Sequence, residues 1–348
     1  MNVQLTLHHL RFTVQVETTI VMDAFKGSAL RGAWQSHLRT LYCAQQEPAD
    51  PLHQAMCPVC FLLSRETSSG DDRRPYTFVP PLTTQTQFEP GERFEFGMSL
   101  FGDTVQFLPY LVLAVNQMGQ QQGLGRPMHG SDQPKHAPPT PAASRPPTRH
   151  GHRLRRGTFR LVCIEECNPL TGERRTLLAE GAHTVHMPTL TIGAAQIADK
   201  SEQLLAGLAG EQCLTLEFLT PTRIVHDKGL MRQPQLAPLL ARLFDRLRAL
   251  SQQFADQSVL AWSDKAHLLA LADQVQLVED ATHWWDVHGR SSRLQRAQPL
   301  GGFVGRAAYR ADQPDVWPNL LPWLLWGQCV QVGKNVVKGC GVITVCQP

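Results

Sequence analysis

Val3-Gln4-Leu5-Thr6-Leu7-His8-His9-Leu10-Arg11-Phe12-Thr13-Val14-Gln15-Val16 alternates apolar and polar side chains, and Cys213-Leu214-Thr215-Leu216-Glu217-Phe218 repeats that alternation before Thr220-Pro221. A period of two sets one face of a strand against a core. Each of these strands opens the same succession of patterns, and that repetition decides the fold. In the first, the apolar set changes phase at His8-His9, which suggests a bulge or offset. Gly27-Ser28 then introduces Leu30, Ala33, Trp34, His37, Leu38 and Leu41 at helical spacing, with Ser28 the expected N-cap. After an irregular insert, strand patterns follow over 76–79 and 93–101, a helix over 107–118 and a strand over 158–164.

The second half repeats this order. Its opening strand spans 213–225, and a helix over 236–254 carries the stripe Leu239, Leu240, Leu243, Phe244, Leu247, Leu250. A short helix near 266–272, strands over 275–285 and 302–309, a helix over 315–326 punctured by Pro318 and Pro322, and a strand over 341–345 complete it. Two successive βαββαβ units predict an α+β protein of tandem ferredoxin-like (RRM-like) domains, at 1–190 and 205–348. The first would carry a Cys-containing insert at 44–76 and a basic, proline-rich insert at 126–156. Such units host many functions, so function must be read from local sites.

Across 348 residues, 33 Lys+Arg nearly balance 30 Asp+Glu, for a net charge of +3. The balance excludes a uniformly basic coat, yet residues 126–160 hold eight basic residues against Asp132 alone, a local charge of +7. The remainder of the chain is mildly acidic, so one localised contact with a polyanion is expected. Seven prolines and few large apolar residues in 126–149 cannot build a core, and that stretch reads as a mobile loop. The apolar runs at 108–115 and 320–326 fall short of the roughly 20 residues of a membrane span. The N-terminal strand pattern lacks the order of a signal peptide. Nine scattered cysteines fit reduced thiols better than a disulfide framework. A cytoplasmic protein without a membrane partner is expected.

Gly333-Lys334-Asn335-Val336-Val337-Lys338-Gly339-Cys340-Gly341 places three glycines and two lysines between the last helix and last strand. Glycines let a backbone approach phosphate closely and lysines add charge; a plain glycine-rich turn is the competing reading. A nucleotide-binding P-loop fails, because five residues separate Gly327 from Gly333 and Asn335 replaces the required Ser or Thr. No nucleotide cofactor is expected. Trp284-Trp285 through His288, Arg290, Arg293 and Arg296 combines groups that stack on bases and hold phosphates, or forms a strand end and a solvated loop. Cys43, His53, Cys57 and Cys60 match the ligand types of a structural zinc site, against a remnant knuckle or ordinary reduced cysteines.

The helix start Leu30-Arg31-Gly32-Ala33, the segment from Ser291-Ser292-Arg293 to Gly301-Gly302-Phe303-Val304-Gly305, and the Gly333 to Gly341 loop resemble the CRISPR-associated protein 6 family. These RAMP-superfamily endoribonucleases process precursor CRISPR RNA. Gly123-Leu124-Gly125-Arg126 and Gly157-Thr158-Phe159-Arg160 are similar to family segments usually close together, so the basic block between them reads as an insertion. Val337-Lys338 and Cys340 depart from the aromatic or aliphatic residues that relatives commonly place there.

The resemblance implies metal-independent cleavage within repeats, with no cofactor required, by attack of a ribose 2′-hydroxyl on the adjacent phosphorus. Its products are a 2′,3′-cyclic phosphate and a 5′-hydroxyl. The implied partners are CRISPR repeat RNA, the 3′ hairpin of the crRNA and other CRISPR effector subunits; the alternative is a catalytically inactive crRNA-binding subunit. Histidine suits the proton transfers, since its pKa of about 6.5 lies near working pH. Family histidines often lie on or just after the first helix, which makes His37 the leading candidate. His150 and His152 are the alternative pair in the basic block, where His129 and His136 also lie, and His226, His283, His288 or no histidine complete the field. The expected RNA contacts are Arg31, Arg149, Arg153, Arg155, Arg156, Arg290, Arg293, Arg296, Gly333, Lys334, Lys338, Gly339 and Gly341.

Overall fold

The computed structural model describes residues 3–43, 53, 56–63, 73–128, 155–208, 212–227, 229–255, 262–291 and 296–346. The first unit contains β1 (Leu7–Val16), β2 (Ile20–Val21), α1 (Gly27–Tyr42), α2 (Pro58–Leu63), β3 (Tyr76–Val79), β4 (Gln87–Phe88), β5 (Arg93–Phe101), α3 (Leu108–Gln117), β6 (Leu124–Met128), β7 (Arg155–Gly157), β8 (Phe159–Cys167) and β9 (Arg174–Leu178). Its antiparallel sheet has the order β3-β5-β1-β8-β9. The crossovers β1-α1-β3 and β5-α3-β8 place two helices over one face, the ferredoxin-like arrangement, and β9 extends the edge.

β1 differs from its expected shape. Its pairing with β5 runs unbroken from Leu7↔Phe101 to Gln15↔Arg93, so no bulge exists at His8-His9, and the irregularity against β8 falls at Thr13/Val14. The phase change has another cause. Val3, Leu5 and Leu7 enter the core of the second unit, whereas Leu10, Phe12, Val14 and Val16 lie with Leu30, Trp34 and Leu111 under α1 and α3. Both faces are covered where the two sets meet, which buries His8 and His9. Burial pushes the His9 imidazole down to about 4, and its Nδ1 lies 2.8 Å from the Ser99 hydroxyl.

After α4 (Ala194–Gly207), the second unit contains β10 (Cys213–Thr222), β11 (Val225–His226), β12 (Gly229–Leu230), α5 (Leu236–Phe254), α6 (Trp262–Ala272), β13 (Gln276–Trp285), β14 (His288–Ser291), β15 (Arg296–Pro299), β16 (Gly302–Arg310), α7 (Val316–Val330) and β17 (Ile343–Cys346). Its main sheet, β13-β16-β10-β17, has the same topology as the first four strands. Leu239, Leu240, Leu243, Leu247 and Leu250 of α5 are fully buried against it, each worth about 1.5–3 kcal/mol of transfer free energy. α7 continues four residues beyond the expected Trp326 and through Pro322. The proline removes one ladder bond, but Leu320, Leu321, Leu324, Leu325 and Trp326 lie at the centre of the core and hold the helix together. Among the described residues no helix is long and apolar enough to cross a membrane.

Candidate nucleic-acid interface

The start of α1 and the glycine-rich loop meet at the seam between the two units. Gly27 opens α1 so close to the loop that a Cβ there would overlap the Lys338 carbonyl oxygen. Gly339 adopts φ +83° and lies against Pro80, where a side chain would collide with the proline ring. Gly341, also at positive φ, approaches the Val332 backbone just as closely. The Gln331 Nε2 donates to the Phe78 carbonyl at 2.8 Å, and the Lys334 N–H donates to the Arg223 carbonyl at 2.9 Å. These contacts account for Gly339 and Gly341 by internal packing, and those with Gly27, Phe78 and Pro80 fix the loop against the first unit.

The loop divides its two lysines. Lys334 is exposed, whereas Lys338 is buried and its Nζ donates to Gln298 Oε1 at 2.8 Å; Gln298 Nε2 in turn donates to Asn335 Oδ1 at 3.0 Å. Gln298 lies on β15, so the β14–β15 hairpin is tied to the loop. Gly289 of the same hairpin packs against Ser28 of α1. Ser28 is not the expected N-cap: Lys26 occupies that position without a side-chain cap, and the Ser28 hydroxyl is buried within the first turn without a hydrogen bond among the described residues.

Lys26 was not legible as a site residue. Its side chain is fully buried, with Nζ donating to the carbonyls of Ala24 at 2.8 Å and Thr83 at 2.6 Å. Among the described residues no carboxylate pairs with it, and burial pushes its ammonium down to about 8. Beside it lies a cleft of about 340 Å³ lined by Phe25, Thr83, Leu219, His283 and Trp285. Phe25 and Trp285 meet edge to face at 6.1 Å. On the neighbouring strand position, Trp284 is covered by the Arg232 guanidinium at 4.0 Å.

Residues 5–190 match a family model described as an N-terminal domain, and residues 216–343 match the model of the CRISPR-associated endoribonuclease Cas6. The second unit, residues 216–343, belongs to the Cas6 family. No curated protein sequence matches it. Solved structures similar to it include Thermus thermophilus Cas6, 13% identical over 99% of this chain and 100% of the other, with a TM-score of 0.51. A Cas6 product complex is 14% identical over 98% of this chain and 100% of that one, with a TM-score of 0.52. A partial Cas6-RT-Cas1–Cas2 complex is 13% identical over 99% of this chain but only 46% of its own, with a TM-score of 0.55. At these identities the likeness is one of fold.

In the first unit, the segments around Gly123 and Gly157 pair as β6 and β7, from Leu124↔Gly157 to Met128↔Arg155. The basic block therefore departs from neighbouring strand ends. Arg126 forms an ion pair with Asp23, three residues before Lys26, and Arg156 Nη1 donates to the Gly125 carbonyl at 2.6 Å. Both Arg155 and Arg156 remain exposed. His129, His136, Arg149, His150, His152, Arg153 and Arg293 lie outside the described residues, as do the side chains of Arg290 and Arg296.

Arg31 is half-buried one turn into α1. His37 lies ten residues after Gly27, about 15 Å along the helix, so the structure does not bring it to the glycine-rich loop. It points into the core with Trp34 and Leu38, only 1% exposed, and its Nε2 has no hydrogen-bond partner among the described residues. Burial lowers its pKa and favours the neutral ring. His283 and His288, in contrast, are exposed near the seam, and His226 lies on β11 beside Asp227. Cys43, His53, Cys57 and Cys60 converge at the far end of α1 into a cluster able to hold a metal ion.

Proposed function

We propose that the chain cleaves precursor CRISPR RNA within its repeats, holding a repeat hairpin along the seam between its ferredoxin-like units. The 2′-oxygen forms a bond to the adjacent phosphorus and the P–O5′ bond breaks, giving a 2′,3′-cyclic phosphate and a 5′-hydroxyl. A base takes the 2′-hydroxyl proton, and an acid supplies one to the departing 5′-oxygen. The reaction balances without a metal ion. The junction of α1 with the glycine-rich loop of the Cas6-family unit carries this reading. Around that junction, exposed Lys334, Arg155 and Arg156 offer phosphate contacts, and the cleft bearing Trp285 offers an aromatic surface for an unstacked base. The likeness to a Cas6 product complex and to a Cas6-RT-Cas1–Cas2 complex supports crRNA and other CRISPR proteins as partners.

Among the described residues the candidates for the base are His37 of α1 and His288 at the β14 edge; the alternative pair, His150 and His152, lies outside them. His37 is the reading drawn from sequence, and acting on RNA requires its ring to leave the core. Exposure favours His288, which stands next to the Gly289–Ser28 contact. Single-turnover cleavage and binding of the repeat RNA, measured for His37→Ala and His288→Ala, separate the two. Loss of cleavage with retained binding identifies the base. Normal cleavage by both variants removes both assignments, and binding without cleavage by the unaltered protein supports the inactive crRNA-binding subunit instead.

A further inference from the structure

We infer that Cys43, His53, Cys57 and Cys60 form a zinc site that fastens the C-terminal end of α1 to α2, structural in role and separate from the RNA seam. Each residue contributes one donor atom, and the four donors lie within 4.8 Å of one another. The spacing has the size of a coordination tetrahedron. With Zn–S of about 2.3 Å and Zn–N of about 2.05 Å, ideal geometry gives S···S edges of about 3.8 Å and S···N edges of about 3.6 Å. The Cys43 and Cys60 sulfurs are 3.7 Å apart, and Cys43 Sγ lies 3.5 Å from His53 Nε2.

The local backbone explains how residues so spaced converge. The Cys57 N–H donates to the His53 carbonyl at 2.8 Å, which places the two side chains one turn apart, and Phe61 N–H donates to the Cys57 carbonyl at 2.9 Å. Cys60 then follows within α2, on a turn seated by the buried Val59, Leu62 and Leu63. Cys43 arrives from the last turn of α1, whose Tyr42 packs edge to face on Tyr110 of α3 at 5.6 Å. The Arg74 guanidinium donates to the carbonyls of Leu62 and Leu63 and closes the far end of α2.

Donor chemistry selects the ion. Three thiolates and an imidazole are soft to borderline ligands that suit zinc and exclude the oxygen-seeking magnesium and calcium. All four positions of the tetrahedron are filled by protein, as in structural rather than catalytic zinc sites. Binding converts three thiols to thiolates, releases three protons and leaves a centre of net charge −1. Cys43 follows Gly27 by sixteen residues, about 24 Å along α1, so the centre stands apart from the glycine-rich loop. Its role is positional: a six-residue helix with a small apolar face gains a cross-link to α1 that packing alone supplies weakly.

The full chain purified without added chelator should contain one zinc per chain by elemental analysis. Replacing zinc with Co²⁺ should give the visible spectrum of a tetrahedral cobalt thiolate. Cys57→Ser/Cys60→Ser should lose the metal, Cys163→Ser should keep it, and His53→Cys should retain the metal with a shifted cobalt spectrum. Metal-free protein, a Cys43–Cys60 disulfide detected by mass spectrometry, or full metal content in the double variant would each overturn the inference. The cobalt spectrum of the unaltered protein decides the question even if the double variant does not fold.

Discussion

Replacing Lys26 with Met removes the buried ammonium beneath the start of α1, and its effect on stability should depend on pH in a calculable way. Burial lowers the lysine from 10.5 to about 8. At about 1.36 kcal/mol per pKa unit, holding the charge in the folded protein costs about 3 kcal/mol relative to the neutral amine. The folded-state pKa lies below the unfolded one, so between the two values the unfolded chain binds more protons. Stability conferred by this position is therefore fully present above about pH 10.5 and is lost as pH falls to about 8. The variant lacks this term, although it leaves the Ala24 and Thr83 carbonyls without their donor, a fixed offset at every pH. Urea unfolding of both proteins from pH 7 to pH 11, followed by tryptophan fluorescence, isolates the difference from all other titrations. The unaltered protein should gain about 3 kcal/mol on the variant across that range, with most of the change between pH 8 and pH 10.5. Parallel stability curves would refute the assignment of a buried, charged Lys26.

Gly27→Ala should drive a methyl group into the Lys338 carbonyl and displace backbone rather than a flexible side chain. A stability loss of about 1–3 kcal/mol, with weakened RNA binding, is expected; unchanged melting and affinity would detach the loop contact from function. His9, held down at about 4 by burial, should make the protein lose stability as pH falls from 6.5 towards 4. His9→Gln should flatten acid unfolding in that window, by up to about 3 kcal/mol, and an unchanged profile would contradict a neutral buried ring. Deleting residues 127–148 removes two of the eight basic residues between 126 and 160 and leaves Arg149, Arg153, Arg155 and Arg156 in place. RNA affinity should fall and its salt dependence become shallower without loss of folding, and equal slopes would make the block a solvated linker.

The elements with a clean period were legible: β3, β5 and α5 have the bounds that alternation and the leucine stripe indicate. Periodicity names the buried face of an element but not what buries it. At His8-His9 the pattern was real and its cause lay in another unit, because β1 serves two cores. The glycines of residues 333–341 carried a similar ambiguity. Their composition suits a phosphate loop, while Gly339 and Gly341 are required by contacts with Pro80 and Val332 that no local pattern could reveal. Lys26 escaped notice because a lysine before a helix is normally solvated; only the fold shows it enclosed by Ala24 and Thr83. The Cys/His cluster was readable from residue type and spacing, since Cys43 closes α1 and the other three ligands follow within the insert directly after it. Positions that act through distant partners, such as Gln298 with Lys338, were not.

If repeat RNA is cut at this seam by attack of the RNA's own 2′-hydroxyl, the chemistry of the new ends reveals it directly. Zinc-loaded protein and a repeat RNA, mixed briefly in EDTA without magnesium, should give one cut per repeat. The upstream fragment should resist phosphatase until mild acid opens its 2′,3′-cyclic phosphate, and the downstream fragment should accept phosphate from polynucleotide kinase without pretreatment. Cleavage that requires added divalent metal, or that leaves a 3′-hydroxyl and a 5′-phosphate, would contradict the account.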